Sequence, residues 1–93
     1  MSTLKSVIHI PADVLFCKLE GEAVVLNQAT GKYFGLNPVG TRMWLLLAEH
    51  SKVEPVYQAL LAEYAVSEDK LQHDLLKLVD DLAAHGLVLV DPA

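Results

Sequence analysis

The stretch from Ala23 to Leu47 leaves this chain the least conformational freedom. Two apolar runs, Ala23-Val24-Val25-Leu26-Asn27 and Lys32-Tyr33-Phe34-Gly35-Leu36-Asn37, are separated by Gln28-Ala29-Thr30-Gly31 and followed at once by Pro38. A period of two puts Val24 and Leu26 on one side of the first run and Ala23 and Val25 on the other. In the second run, Phe34 and Leu36 oppose Tyr33 and Gly35. Gly31 suits the last position of a four-residue hairpin loop, where a left-handed backbone favours a residue without Cβ. Asn37 reads as a helix cap whose side-chain oxygen accepts an orphan N–H. Pro38 fits the first helical position, because the N–H it lacks would be unpaired there anyway. A hairpin delivered directly into a helix is predicted.

The rest of the chain is read outward from that unit. From Val14 to Glu20 the alternation places Leu15, Cys17 and Leu19 on one face and Val14, Phe16 and Lys18 on the other, up to a turn at Gly21. This adds a third strand, and in the resulting antiparallel meander Val14–Glu20 and Lys32–Leu36 are the edges. Leu4 to Pro11 reads as a short extended arm, since Pro11 stops whatever Val7 to Ile10 begins. A first helix, Val39 to about Glu49, carries Val39, Met43, Leu46 and Leu47 on a core-facing stripe with Trp44 beside it. A second, about Glu54 to Tyr64, opens either at the capping-box spelling Ser51-Lys52-Val53-Glu54 or with Pro55 at its first position. Val56, Leu60 and Tyr64 recur along it, with Tyr57 and Leu61 alongside. Ser67 caps the longest helix, with Glu68 and Asp69 in the first turn where the dipole favours them. His85 sits in its last turn and Gly86 takes the left-handed position beyond it. Leu71, Leu75, Leu78 and Leu82 line this helix, and Leu76 and Val79 widen the stripe beyond what one packed face requires. Leu87 to Val90 is extended and apolar, suited to cover an edge or add a short strand before Asp91-Pro92-Ala93 frays. Strand, strand, strand, helix, helix, helix predicts an α+β domain with its helices gathered beside one antiparallel sheet.

Composition narrows the function. With 93 residues, 53% hydrophobic and 20% charged, the chain is expected to be one globular domain over 1–93. It exceeds the roughly 70–80 residues below which one core seldom suffices. Cys17 is the only cysteine, so no intrachain disulfide forms and a cytoplasmic, reducing compartment is expected. Met1-Ser2-Thr3-Leu4-Lys5 lacks the pattern of a signal peptide. No apolar run approaches the roughly 20 residues of a membrane helix, so no membrane partner is expected. A net charge of −5, with Arg42 the only arginine, opposes nucleic acid as a partner.

Catalytic and metal chemistry find no support. Cys17 alternates with Leu15 and Leu19 and reads as a small buried hydrophobe rather than a reactive thiol. His9, His50, His73 and His85 are scattered, and none forms the i, i+4 pair of a zinc protease. His73, Asp74, Asp80 and Asp81 share a helix and read as a solvated face. Trp44 and Met43 read as core. The chain has no phosphate-binding glycine loop and no carboxylate with the pocket partners that acid–base catalysis needs, so no enzyme activity and no cofactor are expected.

In its order of features the chain resembles the PqqD family of small peptide-binding proteins, also called RiPP recognition elements. The resemblance is carried by Val24 to Asn37, Gly40-Thr41-Arg42-Met43-Trp44, Asp74, Leu82, Gly86 and Leu87. It covers about Val14 to Val90, and its specificity lies in the order, since no single motif is diagnostic alone. Such domains serve the maturation of ribosomally made peptides such as pyrroloquinoline quinone and lasso peptides. Thr30-Gly31-Lys32-Tyr33-Phe34 and Gly40 to Trp44 look more like the stand-alone partners of lasso-type systems than the PQQ pathway's own protein. Asn27 departs from the pattern, standing where relatives often carry an acidic residue.

The resemblance implies a winged-helix-like arrangement in which Lys32–Leu36 and the third helix border one groove. It also implies a peptide chaperone that captures the leader of a precursor and presents it to a modifying enzyme. That enzyme would be a radical SAM enzyme in a PQQ-like pathway, or a leader peptidase and cyclase in a lasso-like one. The edge Tyr33-Phe34-Gly35-Leu36 lacks the Pro and dense charge that usually block pairing, so an extended peptide is expected to add there. Five hydrogen bonds at about 1 kcal/mol each give only near-millimolar binding. Leu71, Asp74, Leu75 and Leu78 are therefore expected to supply side-chain pockets and a polar partner. The alternative function is a winged-helix DNA-binding regulator, which would bring Asp74, Asp80 and Asp81, or Glu54 and Glu63, against phosphates.

Overall fold

The computed structural model describes residues 2–20 and 22–91. The turn expected at Gly21, the side chain of Leu19 and the closing Pro92-Ala93 lie outside the described residues. The elements are β1 (Val7–His9), β2 (Val14–Leu19), β3 (Glu22–Asn27), β4 (Tyr33–Leu36), α1 (Pro38–His50), α2 (Val53–Glu63), α3 (Glu68–Ala84) and β5 (Leu89–Asp91). β2, β3 and β4 form an antiparallel sheet in that order, with β2 and β4 at its edges as the alternation predicts. The architecture is the expected α+β one, a three-stranded antiparallel sheet leading into three helices.

The hairpin closes as its sequence dictates. Gly31 is left-handed at φ 78°. Its N–H donates to the Asn27 carbonyl at 2.8 Å, while Asn27 N–H donates to the Lys32 carbonyl at 2.9 Å. Two residues thus oppose one, a bulge with glycine in the strained position. The buried Asn27 side chain does two jobs. Its Oδ1 accepts from the N–H groups of Ala29 and Thr30, at 2.9 and 3.3 Å, and its Nδ2 donates to the Gly86 carbonyl at 2.8 Å. A carboxylate would hold the turn but has no proton to give Gly86, so asparagine here ties the hairpin to the end of α3.

One face of the sheet packs on the helices. Ala23, Val25 and Leu36 are buried there, with Val14, Phe16 and Phe34 partly so. They meet a core that includes Met43, Trp44, Leu47, Val56, Leu60, Leu75, Val79 and Leu82. Cys17, expected inside, is exposed, and Leu15 beside it is exposed too. Both faces of β2 are apolar, so alternation alone does not choose between them. The register does: Phe16 lies opposite the buried Val25, and Cys17 opposite Val24 on the outer face.

The helix ends follow local chemistry where a cap is present. Asn37 Oδ1 accepts from Gly40 N–H at 2.7 Å at the start of α1. Ser67 Oγ accepts from Lys70 N–H at 3.3 Å at the start of α3. Beyond α3, His85 is the cap residue rather than part of the last turn. Gly86 is left-handed at φ 70°, and Leu87 N–H donates to the Leu82 carbonyl at 2.9 Å. The start of α2 differs from both spellings. Ser51 does not cap it; at φ 59° it ends α1 instead, and Pro55 is the third helical residue, still within the first turn. Val53 N–H is satisfied from far away, donating to the Ser6 carbonyl at 3.2 Å, while Ile8 N–H donates to the Ser51 carbonyl at 2.7 Å. The N-terminal arm therefore caps α2, and as β1 it pairs antiparallel with β5 in a separate two-stranded sheet. Val39, expected in the core stripe, is 42% exposed.

Candidate functional site

Register and turn together fix which backbone groups of β4 are open. The exchange of hydrogen bonds at Asn27 starts the β3–β4 ladder, and exchanging pairs then alternate with non-exchanging ones. Val25 exchanges with Phe34 and Ala23 with Leu36. The N–H and C=O groups of Tyr33 and Gly35 consequently point away from β3, toward the free edge. Phe34 and Leu36 turn their side chains to the helices, whereas Tyr33 is 67% exposed on the opposite face. A Cβ placed on Gly35 would meet nothing within 4 Å, so the backbone there is bare on its outer side.

Alongside this edge lies a cavity of about 230 Å³ between β4 and α3. Phe34 to Asn37 and Gly40 form one wall; Asp74, Lys77, Leu78 and Asp81 form the other. The helix wall repeats at i, i+3, i+4 and i+7, one stripe of α3. Next to it, Leu71, Leu75, Val79 and Leu82 are buried and anchor the helix to the core. At its far end Phe34 packs edge-on against His85, with ring centroids 5.3 Å apart, and His85 Nδ1 lies 2.7 Å from the Asp81 carbonyl.

The expected site residues divide accordingly. Phe34, Gly35, Leu36, Asp74 and Leu78 line the cavity, and Tyr33 contributes its outward backbone groups. Leu75 does not take part: it is fully buried, because the widened apolar stripe holds two faces and Leu75 belongs to the inner one. Leu71 lines a different, neighbouring cavity. Asn37, Gly40, Lys77 and Asp81 are lining residues that the sequence reading passed over. Lys77 and Asp81 were accessible to it, since helical spacing from Asp74 and Leu78 points to both. The acidic face also proves mixed: Asp81 lines the cavity, while Asp80 Oδ1 accepts from Ser2 N–H at 2.8 Å.

Charge along the wall is modest. Lys70 Nζ lies 3.3 Å from Asp74 Oδ2, an exposed i, i+4 pair of little energetic weight. Lys77 and Asp81 make no ion pair among the described residues. Away from the groove, Arg42 and Glu63 form a bidentate pair, both bonds 2.8 Å, joining α1 to the end of α2. This hydrogen bonding holds the Glu63 carboxyl below its ordinary pKa and raises that of Arg42. Among the described residues, no group of three His, Cys, Asp or Glu side chains is placed to hold a metal ion, and no helix is long and apolar enough to cross a membrane.

Comparison with known proteins places this geometry in a family. The fold is similar to that of TbiB1, solved in complex with the TbiA(beta) leader peptide, with a TM-score of 0.77 and 36% identity over 86% of this chain and 93% of that one. It is also similar in fold to a lasso peptide synthetase B1 complexed with the leader peptide, with a TM-score of 0.77 and 23% identity over 88% of this chain and 96% of that one. No curated protein matches. Residues 22–88, which run from β3 through all three helices, match the family model of coenzyme PQQ synthesis protein D (PqqD), and the chain belongs to the PqqD family.

Proposed function

We propose that this chain is a non-enzymatic peptide chaperone that binds the leader of a ribosomally made precursor along β4 and presents it to a modifying enzyme. The observation that carries the reading is the open edge at Tyr33 and Gly35 lying directly beside a cavity walled by α3. The 36% identical TbiB1, which binds a leader peptide, supports it. A peptide antiparallel to β4 exchanges bonds with Tyr33 and Gly35, four in all at about 1 kcal/mol each, which alone is near-millimolar. Its residues opposite Phe34 and Leu36 point into the cavity toward Leu78. Two aliphatic side chains there, at about 2 kcal/mol each, bring the sum to about 8 kcal/mol. Ordering the peptide takes part of this back, so binding is micromolar or weaker. The partner enzyme is a leader peptidase and cyclase of a lasso-type system, or a radical SAM enzyme of a PQQ-type one. An exposed, unpaired Cys17 suits a cytoplasmic protein. The DNA-binding reading has no support in the charge, since the sole arginine is already paired with Glu63.

The test is an NMR titration with the synthetic leader of the short precursor expected to be encoded beside this chain. The largest amide shifts are expected at 32–37 and along 74–81. Shifts centred on β2 or α2 instead would place the peptide elsewhere, and submicromolar binding of random duplex DNA would reinstate the regulator.

A further inference from the structure

Two charges of the helix wall are left over. Lys70 is paired with Asp74, and Asp80 accepts from Ser2 N–H, whereas Lys77 and Asp81, which line the cavity beside β4, make no ion pair among the described residues. His85 lies against the backbone carbonyl of Asp81, not its carboxylate. Lys77 is exposed and Asp81 half-buried. The helix runs opposite to β4: Asp74 shares a cavity with Asn37 and Gly40 at one end, and at the other Phe34 packs on His85. A peptide antiparallel to β4 therefore runs in the direction of α3. Its residues facing Leu36 and Phe34 exchange no bonds with β4, so their N–H and C=O groups point away from that strand, toward the helix wall. Those two residues stand about 6.8 Å apart along a strand. Lys77 and Asp81 are about 6 Å apart along the helix axis. The order matches as well, since the carbonyl of the first residue precedes the N–H of the second, as the donor Lys77 precedes the acceptor Asp81.

We propose that Lys77 and Asp81 hold the second backbone edge of the bound peptide, Lys77 donating to the carbonyl of the residue that faces Leu36 and Asp81 accepting from the N–H of the residue that faces Phe34. The proposal rests on the strand-addition reading above. Inside the groove these two backbone groups lose water, and left unpaired each would oppose binding. Bonds to charged partners are the strong ones, so one lysine and one carboxylate meet the need with a single donor and a single acceptor. The peptide is then gripped along both edges, by β4 on one side and α3 on the other. This second contact is blind to the leader's side chains, except that a proline facing Phe34 has no N–H to give.

The probe is a peptide selected from a displayed library of random 16-residue sequences on the full chain, then remade with single amide-to-ester replacements, each of which removes one N–H. Esters at the residues that bond Tyr33 and Gly35 should weaken binding by the same factor in wild type and in Asp81→Ala. The ester at the residue facing Phe34 should weaken wild type about tenfold and leave Asp81→Ala almost unaffected, a non-additivity that marks direct contact. Asp81→Asn, which keeps an accepting oxygen, should regain most of that sensitivity. Lys77→Met, which keeps the stem and loses the donor, should weaken the parent peptide whatever charges its side chains carry. Equal losses from that ester in wild type and Asp81→Ala, or no loss in either, overturn the second-edge contact even when Tyr33 and Gly35 amides shift on binding. If those amides do not shift, strand addition itself is wrong and the contact falls with it.

Discussion

The two edges of the sheet are made of the same material and come out differently. By the ladder alternation, β2 turns the backbone groups of Val14, Phe16 and Lys18 outward, as β4 does those of Tyr33 and Gly35. On β2 the first of these is already used, since Val14 N–H donates to the Pro11 carbonyl at 3.0 Å, and Lys18 puts a charge on what is left. That is how natural sheets discourage strand addition. β4 has neither device, and α3 stands beside it as a wall. None of the cavities described above is lined by a β2 residue. An unpaired edge is thus only half of a site; the other half is a surface that receives every second side chain of the added strand.

If the wall makes the difference, its anchor and its face are separable. Leu75→Ala empties a fully buried position and is expected to lower stability by about 2–5 kcal/mol in urea unfolding. Peptide affinity of the folded fraction should stay near wild type. Leu78→Asp should do the reverse, weakening the leader about tenfold with a smaller loss of stability, because it places a carboxylate between Asp74 and Asp81 in the groove. Equal stability losses for the two variants would mean that Leu78 is core and the groove is closed to ligands.

The edges themselves are compared by a matched pair of substitutions. Gly35→Pro and Lys18→Pro each remove an outward N–H without taking a bond from β3, so their structural costs are similar. Only Gly35→Pro is expected to weaken leader binding, by tenfold or more, or about 1.4 kcal/mol upward, in calorimetric titration. A loss in Lys18→Pro and none in Gly35→Pro would move the peptide to β2.

Much of the fold is legible in the sequence, and the exceptions share a cause. Gly31, Asn37-Pro38, Ser67 and Gly86 act within a few residues of themselves, and all behave as spelled. The side Cys17 faces, the start of α2 and the burial of Leu75 each depend on a distant partner. β3 decides which face of β2 is inside, the Ser6 carbonyl takes the place of a local cap at Val53, and a helix with apolar residues on two adjacent stripes does not announce which one meets the core. The pairing of Leu4–Ile10 was likewise hidden, since β1 meets β5 from the other end of the chain. At the cavity beside α3, the open edge of β4 is readable from the absence of blocking residues. On its helix wall, Lys77 and Asp81 stand on the same stripe as Asp74 and Leu78, a placement that helical spacing carries but the leucine pattern does not.

Hydrogen exchange sharpens the comparison at single amides. In the free chain the outward N–H groups of Tyr33, Gly35, Phe16 and Lys18 lack ladder partners and should exchange quickly, while those of Phe34 and Val25 are protected. Saturating leader should slow Tyr33 and Gly35 about tenfold or more and leave Phe16 and Lys18 unchanged. Protection at Phe16 as well would show that both edges take the peptide.

The smallest effect concerns the Arg42–Glu63 pair between α1 and α2. Arg42 ties the first turns of α1, carrying Val39 and Gly40, to the end of α2 just before Tyr64 and Val66. Its hydrogen bond holds the Glu63 carboxyl below the ordinary value of 4.5 in the folded chain. A carboxyl whose folded pKa is depressed contributes stability that is fully present above its unfolded pKa and is lost as pH falls through the folded one. Wild type and Glu63→Gln should therefore differ slightly in melting temperature at neutral pH and converge on the acid side of 4.5, since both groups of the pair are exposed to solvent. Leader affinity over the same range should follow the melting difference if the pair steadies the far end of the groove, whereas a Glu63→Gln protein that melts lower yet binds as wild type at neutral pH would confine the pair's role to the helices.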